Sequence, residues 1–296
     1  MAIRQVCVIG AGQMGRGIAQ VCATAGYSVK LWDSQSNVPK EALKFIEGIL
    51  QKGVEKGKVD LATKEKTLTN LKAVDQFQDA VQGCDLVIEA IVENFNVKVE
   101  TFKKIRETNP NCIVASNTSS ISITKMASAA KLGERFVGMH FMNPVPIMKL
   151  VEVIRGYSTS HETTETIMQL SKSLNKIPVK VNDYPGFVAN RILMPMINEA
   201  IIALHEGVGG VEEIDTVMKL GMAHPMGPLQ LADFIGLDVC LSILNVLKDG
   251  FGNSKYSPCP LLVNMVNARH LGVKSGNGFY AYKTGTKELV VAEQFR

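Results

Sequence analysis

The sequence lacks the signals that direct a protein into a membrane or out of the cell. No apolar run approaches the roughly 18 residues that a membrane-spanning helix requires. The N-terminal segment enters an apolar stretch without the basic region and cleavage site of a signal peptide. The C-terminal residues form no peroxisomal or retention tripeptide. We therefore expect a cytoplasmic protein with no membrane partner.

Cysteine is scarce and widely spaced. The six cysteines are dispersed along 296 residues, without a Cys-x-x-Cys pair and without a histidine at the spacing of a zinc ligand. This distribution argues against a disulfide framework and against a zinc site, so we expect no bound metal. Most of the cysteines should instead be small, buried, apolar side chains.

A strong charge of either sign is also absent. The 32 lysines and arginines against 28 acidic residues leave a formal net charge of +4. This excess is too small to indicate a nucleic-acid partner, and we expect none. It is compatible with an anionic small molecule as the partner, although solubility alone explains it equally well.

What the chain does contain is a regular alternation of apolar and amphipathic segments in its first half. We predict strands at residues 5–9, 28–32, 86–89, 113–116, 135–140 and 150–154, with helices such as 14–25 and 97–107 between them. Near-continuous apolar strands that alternate with helices indicate a parallel sheet covered on both faces. Residues 38–66 interrupt this order as a predicted helical hairpin with apolar positions at helical spacing.

The first predicted strand leads directly into the pattern Gly-x-Gly-x-x-Gly and then into a helix. In a dinucleotide-binding fold, Gly10 would permit the tight turn, Gly12 would let the backbone approach a pyrophosphate, and Gly15 would let the helix pack closely. The intervening Gln13 and Met14 begin that helix, whose free N–H groups and positive dipole favour phosphates. The pattern alone is weak, but its strand–turn–helix context strengthens it.

Asp33 ends the next predicted strand, 18 residues after Gly15. An acidic side chain there accepts hydrogen bonds from a ribose 2′-hydroxyl and repels a 2′-phosphate, which favours NAD over NADP. Two alternatives stay open at this point: a structural glycine turn beside an exposed acid, and FAD, which uses the same fingerprint. We predict NAD as the cofactor.

The composition changes near residue 183, at an Asp-Tyr-Pro-Gly sequence. Beyond it, residues 187–206 are predicted as one long helix kinked at Pro195, and no convincing strand follows until 278–282. We therefore predict an α/β fold with a Rossmann-type, mostly parallel sheet and a helical-hairpin insertion at residues 1–183. An all-α domain should follow at residues 184–296. The first domain would bind NAD, and the second would serve substrate binding and dimerisation.

Two residues on predicted strands are candidates for acid–base chemistry. His140 closes a strand, and ligands bind outside the carboxyl ends of strands in open parallel sheets. Glu152, 12 residues later, lies in an apolar strand, where a carboxylate is costly unless it is paired. If the two strands are neighbours, Glu152 can orient the imidazole and stabilise its charged form. The alternatives are a structural histidine and a carboxylate on a hydrated face.

Polar residues also cluster where elements meet. Residues 116–120, Ser-Asn-Thr-Ser-Ser, follow a predicted strand and precede a helix, so Ser119 and its neighbours either cap the helix or contribute to a site. Asn190 falls near the start of the linking helix, at the expected domain junction, and clefts between domains are common ligand sites. From the residues alone, a helix-surface amide is the simpler interpretation of Asn190.

Several blocks of residues together resemble the L-3-hydroxyacyl-CoA dehydrogenases, and in particular their short bacterial 3-hydroxybutyryl-CoA members. The similarity spans almost the whole chain and comprises, in order, residues 10–15, 89–94, 116–120, 140–144, 149–153, 185–191, 226–228 and 276–280. Several blocks in order and at family spacing are more specific than any single motif.

The resemblance implies a role for each matching residue. His140 would be the general base, Glu152 its partner, and Ser119 a hydrogen-bond donor to the reacting oxygen. Asn190 would help to hold the substrate between the domains. The matching positions that line the nicotinamide nucleotide are Glu93, Lys98, Asn143 and Lys274. Two residues of the hairpin match the coenzyme A contacts loosely and are otherwise ordinary solvated helix charges: Lys52 and Lys56.

The function that the resemblance implies is the NAD-dependent interconversion of L-3-hydroxyacyl-CoA and 3-ketoacyl-CoA, with 3-hydroxybutyryl-CoA as the expected substrate. Hydride transfer would be assisted by the His–Glu pair, and a homodimer is expected because family members are commonly dimers. The enzyme alternatives are free hydroxy-acid dehydrogenases of the lambda-crystallin or the 6-phosphogluconate type, of which the latter rely on a catalytic lysine. A nucleotide-binding protein without activity should have altered His140, Glu152 or Asn190, and all three are intact.

Overall fold

The computed structural model describes residues 3–282 and 288–296. The chain divides into two compact units, Met1–Tyr184 and Pro185–Arg296, one residue beyond the predicted boundary. The first unit is a mostly parallel sheet covered by helices, and the second is mainly helical. The predicted fold class is therefore confirmed.

The first unit contains an eight-stranded sheet in the order β3-β2-β1-β4-β5-β6-β7-β8. Its strands are β1 (Gln5–Ile9), β2 (Ser28–Trp32), β3 (Leu71–Ala73), β4 (Leu86–Glu89), β5 (Ile113–Ser116), β6 (Phe136–Phe141), β7 (Leu150–Arg155) and β8 (Ile177–Asn182). Neighbouring strands are parallel, except that β6 and β7 are antiparallel. The sequence does not predict β3 or β8, the two edge strands, because one has three residues and the other is mostly exposed and contains Pro178.

The helices of the first unit are α1 (Gln13–Thr24), α2 (Val38–Glu55), α3 (Leu61–Thr69), α4 (Phe77–Val81), α5 (Phe95–Thr108), α6 (Ile123–Ala130) and α7 (His161–Ser173). α2 and α3 form the predicted hairpin between β2 and β3. Four of these helices begin at a polar residue whose side chain accepts a hydrogen bond from a backbone N–H of the first turn. These N-terminal caps are Asp60, Asn94, Ser122 and Ser160.

The strand order changes direction between β1 and β4. Every residue of β4, β5 and β6 is buried, which explains why these strands form continuous apolar runs in the sequence. In such doubly wound sheets, the crevice for a ligand lies outside the carboxyl ends of the strands at this change of direction. Ile9, Glu89, Ser116 and Gly138 are paired in register across this edge of the sheet.

The second unit contains α8 (Ala189–His205), α9 (Val211–Thr216), a π-helical turn (Val217–Gly221), α10 (Pro228–Ile235), α11 (Leu237–Phe251) and α12 (Pro260–Asn267). A short antiparallel pair follows, β9 (Tyr280–Ala281) and β10 (Val290–Val291). α8 continues through Pro195, and β9 is shorter than the strand predicted at 278–282. Among the described residues, no single helix is long and apolar enough to cross a membrane. α10 and α11 satisfy length and composition only together, with a bend of 97° between them.

Candidate active site

The glycine-rich turn lies between β1 and α1, at the carboxyl end of the sheet. Gly10 has a φ of +97°, and a Cβ atom there would lie 2.5 Å from the carbonyl oxygen of Ala90. A Cβ atom on Gly15 would lie 1.7 Å from the carbonyl oxygen of Gly10, whereas one on Gly12 would meet no described atom within 4 Å. Packing therefore requires Gly10 and Gly15, while Gly12 leaves an open surface over the turn.

The first turn of α1 suits an anion. It contains no acidic residue, and no side chain within the described ranges caps its N-terminus. Its N–H groups and the helix dipole can therefore serve phosphate oxygens. Gln13 Nε2 donates a hydrogen bond to Asn143 Oδ1 at 3.1 Å, and Met14 packs partly buried against the core.

Asp33 follows β2 and is held against the glycine-rich turn. One carboxylate oxygen accepts a hydrogen bond from the Ala11 N–H at 2.8 Å, and the other accepts one from the Gln35 N–H at 3.1 Å. This arrangement places an acid beside the turn, where a dinucleotide presents its ribose hydroxyls. The open Gly12 surface, the uncapped helix and this carboxylate together fit NAD.

His140 and Glu152 lie directly opposite each other in the antiparallel pairing of β6 and β7. Opposed residues share one face of the sheet, with Cβ atoms about 5 Å apart, so their side chains can meet. His140 Nδ1 lies 2.8 Å from Glu152 Oε2, and the two residues are only 8% and 2% exposed. A buried carboxylate in this position can orient the ring, and an imidazole held in this way can serve as an acid–base group.

Glu93 accepts several hydrogen bonds from the polar loop that follows β5. Its Oε1 accepts hydrogen bonds from Thr118 Oγ1 at 2.6 Å, from the Ser119 N–H at 2.9 Å and from Ser119 Oγ at 3.2 Å. Burial opposes ionisation of Glu93, but the ammonium of Lys98 and these hydrogen bonds outweigh it and lower the pKa. The same loop also contacts β6. Asn117 Oδ1 accepts a hydrogen bond from the backbone N–H of Phe141, the residue after His140.

A second carboxylate, Glu89, lies at the end of β4 and is completely buried. Its Oε1 is 2.5 Å from Lys98 Nζ, and its Oε2 accepts a hydrogen bond from Ser116 Oγ at 2.6 Å. Neither Glu89 nor Ser116 is individually predicted as a site residue from the sequence. A signal was present, because a carboxylate that ends the apolar strand Leu-Val-Ile-Glu needs a buried cation or several donors nearby.

The remaining expected residues are divided between the two units. Lys98 is 1% exposed, so its ammonium points into the protein, towards Glu89 and Glu93. In the second unit, Asn190 is buried in the first turn of α8, and Lys274 forms an ion pair with Asp238.

The hairpin lysines lie near the end of α2. Lys52 is in its last turn and exposed, and Lys56 is its exposed C-terminal cap.

The loop after β6 is held in place by Lys176, a residue for which the sequence indicates no role. Asn143 precedes a cis peptide bond to Pro144. Lys176, which is 6% exposed, donates hydrogen bonds to the carbonyl oxygens of Val145, at 2.5 Å, and Met148, at 2.8 Å. Burial lowers the pKa of Lys176, and the neighbouring charge of Lys149 adds to this effect.

These groups together indicate a class of enzyme. A glycine-rich turn at the change of strand direction, an acid after the second strand and a buried His–Glu pair at the same sheet edge are the features of an NAD-dependent dehydrogenase. The described residues contain no group of three or more histidine, cysteine or acidic side chains that could hold a metal ion.

Comparisons with known proteins narrow the class. The sequence model of the 3-hydroxyacyl-CoA dehydrogenase NAD-binding domain matches residues 5–184, and that of the C-terminal domain matches residues 186–282. The chain is 53% identical to the probable 3-hydroxybutyryl-CoA dehydrogenase of Bacillus subtilis, over 97% of this chain and 100% of that protein. It is 52% identical to the 3-hydroxybutyryl-CoA dehydrogenase of Bradyrhizobium diazoefficiens, over 95% and 96% of the two chains.

A solved structure leads to the same family. The crystal structure of (S)-3-hydroxybutyryl-CoA dehydrogenase from Ralstonia eutropha superposes with a TM-score of 0.92 at 46% identity, over 96% of this chain and all of that one. The chain therefore belongs to the 3-hydroxyacyl-CoA dehydrogenase family, and its first unit is the NAD-binding domain of that family.

Proposed function

We propose that this enzyme interconverts (S)-3-hydroxybutyryl-CoA and acetoacetyl-CoA with NAD as the cofactor. The main support is the 2.8 Å contact between His140 and Glu152, buried at the sheet edge that also carries the glycine-rich turn. The names of relatives that are about half identical over nearly the whole chain support the choice of substrate.

His140 is proposed as the acid–base group. NAD, when bound, supplies the acceptor for the hydride that leaves C3 of the hydroxyacyl group. His140 takes the proton from the 3-hydroxyl, and in the reverse direction it returns this proton to the ketone oxygen. Glu152 holds the ring and stabilises its charged form. The hydroxyl of Ser119 donates to Glu93 in this structure and is proposed to turn to the reacting oxygen when substrate is bound, and Asn190 helps to hold the substrate.

The cofactor is proposed to lie along the carboxyl end of the sheet. Its phosphates would meet the glycine-rich turn and the start of α1, and its adenine ribose would meet Asp33. The turn and helix positions are Gly10, Gly12, Gln13, Met14 and Gly15. The positions proposed around the nicotinamide nucleotide are Glu93, Lys98, Asn143 and Lys274. Because Lys98 is buried beneath Glu93, we propose that it acts on the nucleotide through that carboxylate. Lys52 and Lys56 are proposed to attract the phosphates of coenzyme A.

The alternatives differ in substrate. A hydroxy-acid dehydrogenase of the lambda-crystallin or 6-phosphogluconate type would act on a free acid, and a protein without activity would bind the nucleotide only. Oxidation of NADH should be followed with acetoacetyl-CoA, with longer 3-ketoacyl-CoA esters and with free acetoacetate, and each should be repeated with NADPH. Rapid turnover of acetoacetyl-CoA with NADH is expected. Turnover of the free acid alone, or of no substrate, would refute the proposal.

We propose a homodimer in the cytoplasm. Large apolar side chains of the second unit are exposed in the single chain, among them Leu220 at 82% and Phe234 at 62%. Exposed apolar side chains favour self-association where they form a contiguous patch. Light scattering of the purified protein should give the mass of two chains, and the mass of one chain would contradict the proposal.

A further inference from the structure

The buried carboxylate of Glu89 is surrounded by hydrogen-bond donors. It is 0% exposed and accepts from Lys98 Nζ at 2.5 Å, from Ser116 Oγ at 2.6 Å and from the Ile91 N–H at 2.7 Å. Removing a carboxylate from water is strongly unfavourable, and an ion pair offsets that cost only when its remaining oxygens are also hydrogen-bonded. Glu89 meets this requirement, because Lys98 and the Ile91 N–H donate to one carboxylate oxygen and Ser116 Oγ donates to the other. These donors therefore hold the carboxylate of Glu89 in one position.

Lys98 is shared unequally between two carboxylates. Its ammonium is 2.5 Å from Glu89 but 3.3 Å from Glu93, and Lys98 itself is 1% exposed. One cation therefore serves two anions, and the cluster retains one net negative charge. The side chain of Glu93 is 37% exposed and its Oε1 faces the loop of Ser119, so this remaining charge lies at the open, carboxyl end of the sheet.

We infer that Glu89 is a positioning residue that holds Lys98 closer to itself and so leaves Glu93, beside the nicotinamide, only partly compensated by that cation. The nicotinamide ring is cationic in NAD⁺ and neutral in NADH. A fixed negative charge near the ring therefore stabilises the oxidised cofactor relative to the reduced one. The inference rests on the proposed function, because it takes the crevice at this sheet edge as the site of the nicotinamide. A buried ion pair is rarely a source of net stability, which favours such a role over a purely structural one.

The test is the ratio of the two cofactor affinities, measured by calorimetric titration with NAD⁺ and with NADH. Glu89→Gln keeps the size of the side chain and an oxygen for Lys98 but removes the charge, so Lys98 then neutralises Glu93. The affinity for NAD⁺ should fall by at least about tenfold relative to that for NADH, which is the effect of one unit charge on another about 12 Å away at an effective dielectric constant of about 20. The pyrophosphate is common to both cofactors, so its response cancels in the ratio.

A control variant is available on α5, the helix that contains Lys98. Glu100 forms an ion pair with Lys103 at 2.8 Å, but both side chains are exposed. Glu100→Gln removes the same charge from an exposed ion pair that does not include Lys98, and it should leave the affinity ratio unchanged. A similar fall in this control would overturn the inference, because the effect would then reflect the total charge of the protein.

A double variant separates charge from structure. Glu89→Gln combined with Lys98→Met removes the buried anion and the buried cation together, which leaves Glu93 as the net negative charge again. The affinity ratio should return towards the wild-type value, even if both affinities weaken. This variant also serves if Glu89→Gln alone does not fold, because it contains no unpaired buried charge. A ratio that stays altered in the double variant, or that never changes in Glu89→Gln, would overturn the inference. A wild-type protein that binds neither cofactor would instead refute the proposed function.

Discussion

Replacement of Glu152 by glutamine isolates the electrostatic contribution of the proposed acid–base pair. The amide oxygen of glutamine can still accept a hydrogen bond from the Nδ1–H of His140, and the side chain keeps its size within the buried strand β7. What disappears is the negative charge that stabilises the imidazolium when the proton has moved to the ring. The substitution should therefore lower turnover without unfolding the sheet.

The size of the effect follows from the geometry. His140 Nδ1 and Glu152 Oε2 are 2.8 Å apart in a buried setting, so the centres of the two charges are about 4 Å apart. At an effective dielectric constant of about 20 this corresponds to roughly 3–4 kcal/mol of attraction. Because each ~1.4 kcal/mol changes a rate tenfold, kcat should fall by about 10²–10³-fold.

The assay is steady-state reduction of NAD⁺ by (S)-3-hydroxybutyryl-CoA, the direction in which the proton moves to His140, with NAD⁺ affinity measured separately. The chain offers a control in a second His–Glu pair, His161 and Glu165, whose ring nitrogen and carboxylate oxygen are 3.9 Å apart on the exposed face of α7. Glu165→Gln should retain wild-type kcat. A Glu152→Gln protein that folds and turns over within threefold of wild type would refute the electrostatic argument.

Three further outcomes are expected. Asp33→Ala should weaken NADH binding and raise the relative kcat/KM for NADPH, and an unchanged cofactor preference would count against the proposed ribose contact. The pKa of Glu93 lies below its ordinary value of 4.5, because Lys98 and the surrounding donors outweigh burial, so its carboxylate stabilises the fold above that pH and loses this effect on acidification. The difference in unfolding free energy between wild type and Glu93→Gln should therefore shrink as the pH falls below 4.5, and a constant difference would contradict it. Alanine at Lys52 and Lys56 should raise the KM for acetoacetyl-CoA more than it lowers kcat, with the effect reduced by salt; equal kinetics at low salt would exclude the proposed coenzyme A contact.

The central strands could be predicted from the sequence because burial on both faces makes them continuous apolar runs. The ends of β1, β2, β4 and β5 match the predicted residues. The edge strands β3 and β8 could not be predicted in this way. In β8, Val181 is the one buried residue, and Pro178 and Lys180 are typical of an edge, where one side of the strand faces no neighbour. Edge strands form because a neighbour offers hydrogen bonds, and that information lies elsewhere in the chain.

In the candidate site, too, some residues could be identified from the sequence and others only from the fold. His140 and Glu152 could be identified because each residue is unusual in its own strand, and an antiparallel pairing of 12-residue spacing then brings them together. The contacts of Glu89 were hidden, because they come from a helix, a neighbouring strand and a backbone N–H that meet only after folding. Lys98 illustrates the same limit: the sequence indicates a cation, but only the fold reveals that its charge is buried between two carboxylates.

The most direct test of the account is the turnover of acetoacetyl-CoA by a His140→Gln protein that retains NAD⁺ affinity. Acid–base catalysis by a positioned side chain contributes about 10²–10⁴-fold, so kcat should fall by at least about 10²-fold while calorimetry gives NAD⁺ binding close to wild type. Near-normal turnover in this variant would show that the proton moves through another group, and it would contradict the central claim.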